Sequence, residues 1–249
     1  MCTVVILRRP EHAWPLILAA NRDEMLARPS ASPGRHWPDR PEIIAGLDRL
    51  SGGSWLGIND HGVVAAVLNR TGSLGPDAEK RSRGELVLDA LDHADAADAA
   101  DALAALNPAA YRSFNLIVAD DRDAFWLAAR RGARRIQAKP IPEGLSIVTS
   151  QDLNDPAAPR VGAYLPLFTE ASTPDPGAGD WSDWERLMAS RMGDAHISAE
   201  NTMCVVTDHG YGTVSSSLVA LPRHAPGATP IWRFADGRPG ATPYESVLP

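Results

Sequence analysis

Cys2 offers the chemistry to consider first. It stands directly behind the initiator methionine and opens the apolar run Cys2-Thr3-Val4-Val5-Ile6-Leu7. Removal of Met1 puts a thiol and a free α-amine on one residue. That is a nucleophile with its own built-in base. A second apolar run, Leu16-Ile17-Leu18-Ala19-Ala20, ends in Asn21-Arg22-Asp23-Glu24. A hairpin there returns the chain towards its start and sets hydrogen-bonding and charged groups around the sulfur. The plainer reading is that Cys2 is a small buried hydrophobe in a strand and that the four polar residues form a solvated turn. The residues alone leave both open.

The elements that must position these groups read as strand pairs broken by two helical regions. Strands are expected at about 2–8 and 14–20, with residues 25–50 a long Arg/Pro/Gly-rich loop and a short strand near Ile43-Ile44. Ser54–Ile58 and Val63–Leu68 flank Asn59-Asp60-His61-Gly62, a hairpin signal. Gly52-Gly53 before it implies close backbone approach or a positive-φ turn. Ser82 and Glu85 match a capping box opening a helix that continues through the Ala/Asp stretch 94–105. Four strands follow, at 114–119, 124–129, 134–138 and 145–149. A second helix is expected at about 181–192, with Trp184, Leu187, Met188 and Met192 on one face. Strands at 203–207, 213–221 and 230–234 complete an α+β pattern. No composition break or internal repeat divides the chain, so 1–249 reads as a single domain.

Composition narrows the function classes. The chain has 249 residues and a net charge of −7, so nucleic acid and anionic membrane are poor partners. No apolar stretch reaches the ~18 residues of a membrane span. Arg8-Arg9 interrupt the first apolar run, which argues against a signal peptide. Two cysteines, Cys2 and Cys204, make no disulfide framework and suit a reducing cytoplasm. The seven histidines show no metal-ligand spacing, and no metal site is expected. Asn115 lies mid-strand, as a satisfied buried amide or a binding residue. His209 belongs to a turn.

Several motifs in one order resemble the NRDE family, also called the Transport and Golgi Organisation protein 2 family. They are Met1-Cys2-Thr3, Leu18–Glu24, Arg28-Pro29-Ser30, Ala45–Asp48, Gly52–Ile58, Ala65–Asn69, Arg83–Leu86, Phe114–Ile117 and Gly210-Tyr211-Gly212-Thr213. The resemblance covers most of the chain. It implies the N-terminal-nucleophile-hydrolase fold, an αββα sandwich of two antiparallel sheets. Cholylglycine hydrolases and penicillin V acylases of that superfamily begin similarly. It further implies Cys2 as nucleophile towards a small amide or acyl bond. Arg22 would favour the thiolate, Asp23 would orient the α-amine, and Asn69 would donate to the oxyanion. The register of the short motif leaves Asn21 and Glu24 as substitutes. Gln151 stands where the acylases carry a second asparagine. Val214 and Ser215-Ser216-Ser217 stand where a late arginine is expected, a departure from acylase chemistry. The alternative is a carrier on the same fold that handles haem or lipid without turnover. The hydrolase needs no cofactor; haem, in the carrier, would need an axial ligand from Cys2, a His or a Met.

Overall fold

Two antiparallel sheets form from the chain in interleaved order. The computed structural model describes residues 2–73, 75, 77–191, 198–225 and 227–248. It divides into two compact units: Met1–Arg28 with Pro142–Thr149 and Leu153–Pro249, and Pro29–Ile141 with Ser150–Asp152.

The first unit holds β1 (Thr3–Arg8), β2 (Leu16–Met25), β10 (Gly144–Val148), β11 (Tyr211–Leu221), β12 (Ile231–Ala235) and β13 (Glu245–Ser246). These make one sheet in the order β10-β1-β2-β11-β12-β13. Helices α3 (Pro159–Glu170) and α4 (Ser182–Met188) pack on it. Alternate residues of a strand share a face. Val5, Leu7, Ile17 and Ala19 therefore present one face to Tyr164, Phe168, Trp184 and Leu187. Phe168 and Trp184 meet edge-to-face at 5.3 Å, a favourable ring geometry. Asn154 sits beside β10, with its N–H donating to Ile147 O and its Oδ1 accepting from Ile147 N. That occupies backbone groups a sheet edge would otherwise leave open.

The second unit holds β3 (Ser30–Gly34), β4 (Ile43–Asp48), β5 (Leu56–Asn59), β6 (Val64–Asn69), β7 (Phe114–Ala119), β8 (Ala124–Ala129) and β9 (Gln137–Pro140). They lie side by side in chain order as a meander. Helices α1 (Gly84–Leu91) and α2 (Ala96–Ala104) pack on this sheet over Val63, Ala65, Leu116 and Leu127. Asn59 ties hairpin to helix. Its Oδ1 accepts from His61 N and Val63 N, and its Nδ2 donates to Leu91 O and His93 O. Those carbonyls are among the groups a helix C-terminus cannot satisfy internally.

Several elements differ from the sequence reading. Asn21–Glu24 is no turn: β2 runs straight through it, because β1 and β11 flank it on both sides. Residues 25–50 contain β3 and all of β4 rather than a long loop. The capping box does not form. Arg83 is the N-cap, which puts Ser82 one residue too early, and Glu85 pairs with Arg81 at 2.6 Å. The first helix breaks into two, α2 restarting under an Asp95 cap that accepts from Asp98 N. Residues 203–207 make an isolated bridge at Val206 rather than a strand. The second helix ends at Met188, and Met192 lies outside the described residues. Helix α3 was hidden by Pro159 and Pro166. Pro159 is tolerated in the first turn, where a missing N–H costs nothing, and Val161, Tyr164 and Phe168 form the buried face.

Gly52 and Gly53 serve both purposes expected of them. Gly52 has φ of +72°. A Cβ on Gly53 would lie 2.5 Å from the carbonyl carbon of Gly84, backbone against backbone. Gly53→Ala should therefore destabilise the protein by about 2–4 kcal/mol, the scale of a forced overpacking with backbone shift. Urea denaturation measures it; a loss below about 0.5 kcal/mol would mean the loop and α1 separate freely.

Candidate functional site

In the first unit, β-sheet register brings part of the expected set together. Thr3 pairs with Asn21 across β1 and β2, and Asp23 pairs with Thr213 across β2 and β11. A bulge at Val214 shifts the register, so that Ser215, not Val214, faces Arg22. Bulges re-aim side chains in this way. Thr3, Asn21 and Asp23 lie in phase with Val5, Ile17 and Ala19, on the face that the helices cover. Arg22 and Glu24 fall on the other face.

Asp23 is the hub. Its Oδ1 accepts from the Thr213 hydroxyl at 2.6 Å, and its Oδ2 pairs with Arg160 Nη1 at 3.1 Å. Both ion-pair side chains are at most 2% exposed. Arg160 also donates to the Thr3 hydroxyl, to Glu200 O at 3.0 Å and to Asn201 O at 3.3 Å. Thr213 Oγ1 in turn accepts from Val205 N at 2.8 Å. The backbone carbonyl of Asp23 receives the Tyr211 hydroxyl at 3.3 Å and lies 3.7 Å from Cys2 Sγ. Cys2 is half-buried and Cys204 buried, and the two are not joined in a disulfide.

A thiol pKa lowered by Arg22 and a terminal ammonium is expected of a processed chain. In this chain, which retains Met1, burial pushes the Cys2 thiol up, and the negative charge of Asp23 adds to that; Arg22 pulls the other way and by less. Tyr211 is raised as well, by burial and then by negative charge at Cys2 and Asp23.

The substitutes Asn21 and Glu24 are committed elsewhere. Asn21 Nδ2 donates to Met188 O and Met203 O, both at 2.9 Å, stitching the end of α4 and the segment beyond it to β2. Glu24 accepts from Met25 N and approaches Arg28 at 3.8 Å.

The second unit groups Asn115 and Gln151. Asn115 Oδ1 accepts from Arg70 at 2.6 Å and Trp126 Nε1 at 3.1 Å, and its Nδ2 donates to Gln151 O at 2.7 Å. Arg70 and Arg130 both clasp Asp152. Burial opposes ionisation of that carboxylate, but the two arginines outweigh it and hold its pKa below the usual range. The Gln151 side-chain oxygen is buried with no hydrogen-bond partner among the described residues. Asn69 ends β6 opposite Phe114. Its strand phase places it with Val63, Ala65 and Val67 on the helix-covered face, whereas Asn115 is on the other. The unit does not set Asn69 beside Asn115 and Gln151.

Sequence reasoning missed Arg160, Thr213 and Tyr211. Thr213 and Tyr211 belong to the Gly-Tyr-Gly-Thr motif, so their place was marked but not their partner. Arg160 sits on the helix that two prolines concealed; the spacing of Val161, Tyr164 and Phe168 was its available signal. A groove of about 380 Å³ on α3, lined by Asn154, Pro156, Val161, Leu165, Pro166 and Glu170 among others, holds none of the expected site residues. Among the described residues, no cluster of three or more His, Cys, Asp or Glu is arranged to hold a metal ion. No described helix is long and apolar enough to cross a membrane.

The fold is α+β, of the N-terminal-nucleophile-hydrolase type. A Caenorhabditis elegans N-acylethanolamine-hydrolyzing acid amidase ortholog superposes with a TM-score of 0.61 at 14% identity, covering 87% of this chain and 92% of that one. A mutant conjugated bile acid hydrolase from Clostridium perfringens gives 0.55 at 11% identity, covering 100% and 97%. At such identities the likeness establishes fold alone. Residues 1–226 match the Transport and Golgi organisation 2 family, and the chain belongs to it. The human Transport and Golgi organization protein 2 homolog is 41% identical over 115 residues, and the Mus musculus homolog 40% over the same length. Each match spans 44% of this chain and 40% of the relative's length.

Proposed function

We propose that this chain is an N-terminal-nucleophile-type hydrolase that uses Cys2 on a small amide or acyl substrate. The observation that supports this most is the half-buried Cys2 thiol against the carbonyl of Asp23, whose carboxylate is fixed in a buried network. A thiol used only for packing needs no such neighbour. In the proposed reaction the α-amine of Cys2 takes the thiol proton and the sulfur attacks the substrate carbonyl. The amine leaving group departs with that proton, leaving a thioester, and water then releases the acid and restores the thiol. Arg22 and Asp23 keep the roles of favouring thiolate and orienting the amine. Asn69 enters as oxyanion donor on the resemblance alone, and Asn115 and Gln151 as substrate-binding residues.

The reading requires Cys2 to be the first residue of the working protein. Met1 withholds the base, and burial holds the thiol pKa above its ordinary value. Mass measurement of the N-terminus, followed by a screen of N-acyl amides, lactones and bile-salt-like conjugates, tests it. Processed protein should release amine or acid, and Met1-bearing protein should not. A processed chain with no turnover, together with saturable haem binding unaffected by Cys2→Ala, leaves a carrier instead.

The reading also treats 1–249 as one domain. The first unit completes its sheet only when β10, which follows most of the second unit in the chain, pairs with β1. One calorimetric transition is expected; two separated transitions would refute it.

A further inference from the structure

We infer that Arg160 is a positioning residue for the Cys2 site, holding Thr3 and Asp23 in place from the helix-covered face of the sheet. The inference rests on the reading of Cys2 as a nucleophile. Burying a guanidinium is costly, and an apolar residue at 160 would hold α3 on the sheet as well. Instead its donors go to the residue after Cys2, to the carboxylate of Asp23 and to the carbonyls of Glu200 and Asn201. A planar fork fixes several partners at once, which a lysine cannot do. With Thr213 on the other oxygen, the Asp23 carboxylate cannot rotate. The carbonyl of the same residue lies against Cys2 Sγ. Small displacements of a nucleophile carry large rate costs.

Asp23 and Arg22 on β2 and the amino terminus act on the Cys2 thiol, and Cys2, Asp23, Glu24 and Arg160 on α3 all act on Tyr211 of β11. Removing the Arg160 cation leaves Asp23 without its counter-ion. The negative charge of Asp23 already raises the Cys2 thiol pKa, and without Arg160 beside it that pKa must rise further.

The rate of iodoacetamide alkylation at Cys2 against pH, read by mass on the N-terminal peptide, gives that pKa without any substrate. Arg160→Met should raise it by about half a unit or more. In an Asp23→Asn background the same change should move it by less than half as much. Arg160→Lys keeps the charge but loses the fork, and should lower kcat about tenfold or more with KM little changed. An Arg160→Met profile that overlays the wild type overturns the inference, as does wild-type kcat in Arg160→Lys. If Arg160→Met fails to fold, the Asp23→Asn/Arg160→Met pair measured against Asp23→Asn, with Arg160→Lys, carries the test: a shift there as large as half a unit overturns it. If the wild type turns over no amide, the hydrolase reading falls, while the alkylation profiles still decide the role of Arg160.

Discussion

Cys2→Ala should abolish amide turnover, by on the order of 10⁴-fold or more, while the protein keeps its fold. The two parts of this result have separate causes. The turnover loss follows because the other candidates are occupied: Thr3, Thr213 and Tyr211 are hydroxyls engaged in hydrogen bonds, and the second thiol, Cys204, is buried against Thr213 with its pKa raised by burial. The fold survives because a half-buried residue loses a single sulfur, worth about 1 kcal/mol or less of transfer and cavity terms. Cys2→Ser should keep weak activity at best, between the alanine variant and about a hundredth of wild type, since an alcohol is far less acidic than a thiol. Steady-state release of amine from the best substrate, on protein whose mature N-terminus is verified, measures all three. An alanine variant with a tenth or more of wild-type activity would remove Cys2 as nucleophile. A variant that is inactive because it is unfolded would show lost cooperativity on heating.

Asp23→Ala should destabilise the folded chain by about 3–5 kcal/mol, the cost of breaking a fully buried ion pair. The Arg160 guanidinium would lose its counter-ion in a buried setting, with Thr3 and two backbone carbonyls among its remaining partners. For a chain of this size each kcal/mol is about 2–4 °C of Tm, so a drop of roughly 10 °C is expected. Asp23→Leu with Arg160→Met should recover most of that loss, because apolar groups of similar volume replace a buried pair at little net cost. Guanidinium denaturation of the single and double variants closes the cycle. A loss under about 1 kcal/mol in Asp23→Ala would mean that water reaches the pair. The double variant should still be poorly active, which separates the stabilising role of the pair from the positioning one.

Much of this arrangement could be read from residue order. Alternating and continuous apolar runs located strands β5–β8 and β10 to within a residue or two, because a strand buried on both faces leaves a compositional trace whatever it packs on. Gly52-Gly53 announced a constrained loop, and the constraint is the approach of Gly84. Cys2 and Asp23 were marked by residue type, and register then joined them.

Other features had no local trace. Asn21–Glu24 is polar enough to pass for a turn, yet three of its four residues are 7% exposed or less. Two of them are met by partners from far along the chain: Met188 and Met203 for Asn21, Arg160 and Thr213 for Asp23. A sequence window sees propensity and period, and neither reports a hydrogen bond across 137 positions. The same holds for the direction of the Cys2 pKa. An adjacent arginine argues for a lowered value, but desolvation and the Asp23 charge, which depend on packing, outweigh it. The sequence by itself determined which side chains can do chemistry and which stretches are strands, since both depend on residue type and short-range spacing. Only the tertiary structure decided that Asp23 turns its carboxylate towards Arg160 while its carbonyl meets the thiol, because burial and long-range pairing are properties of the folded chain.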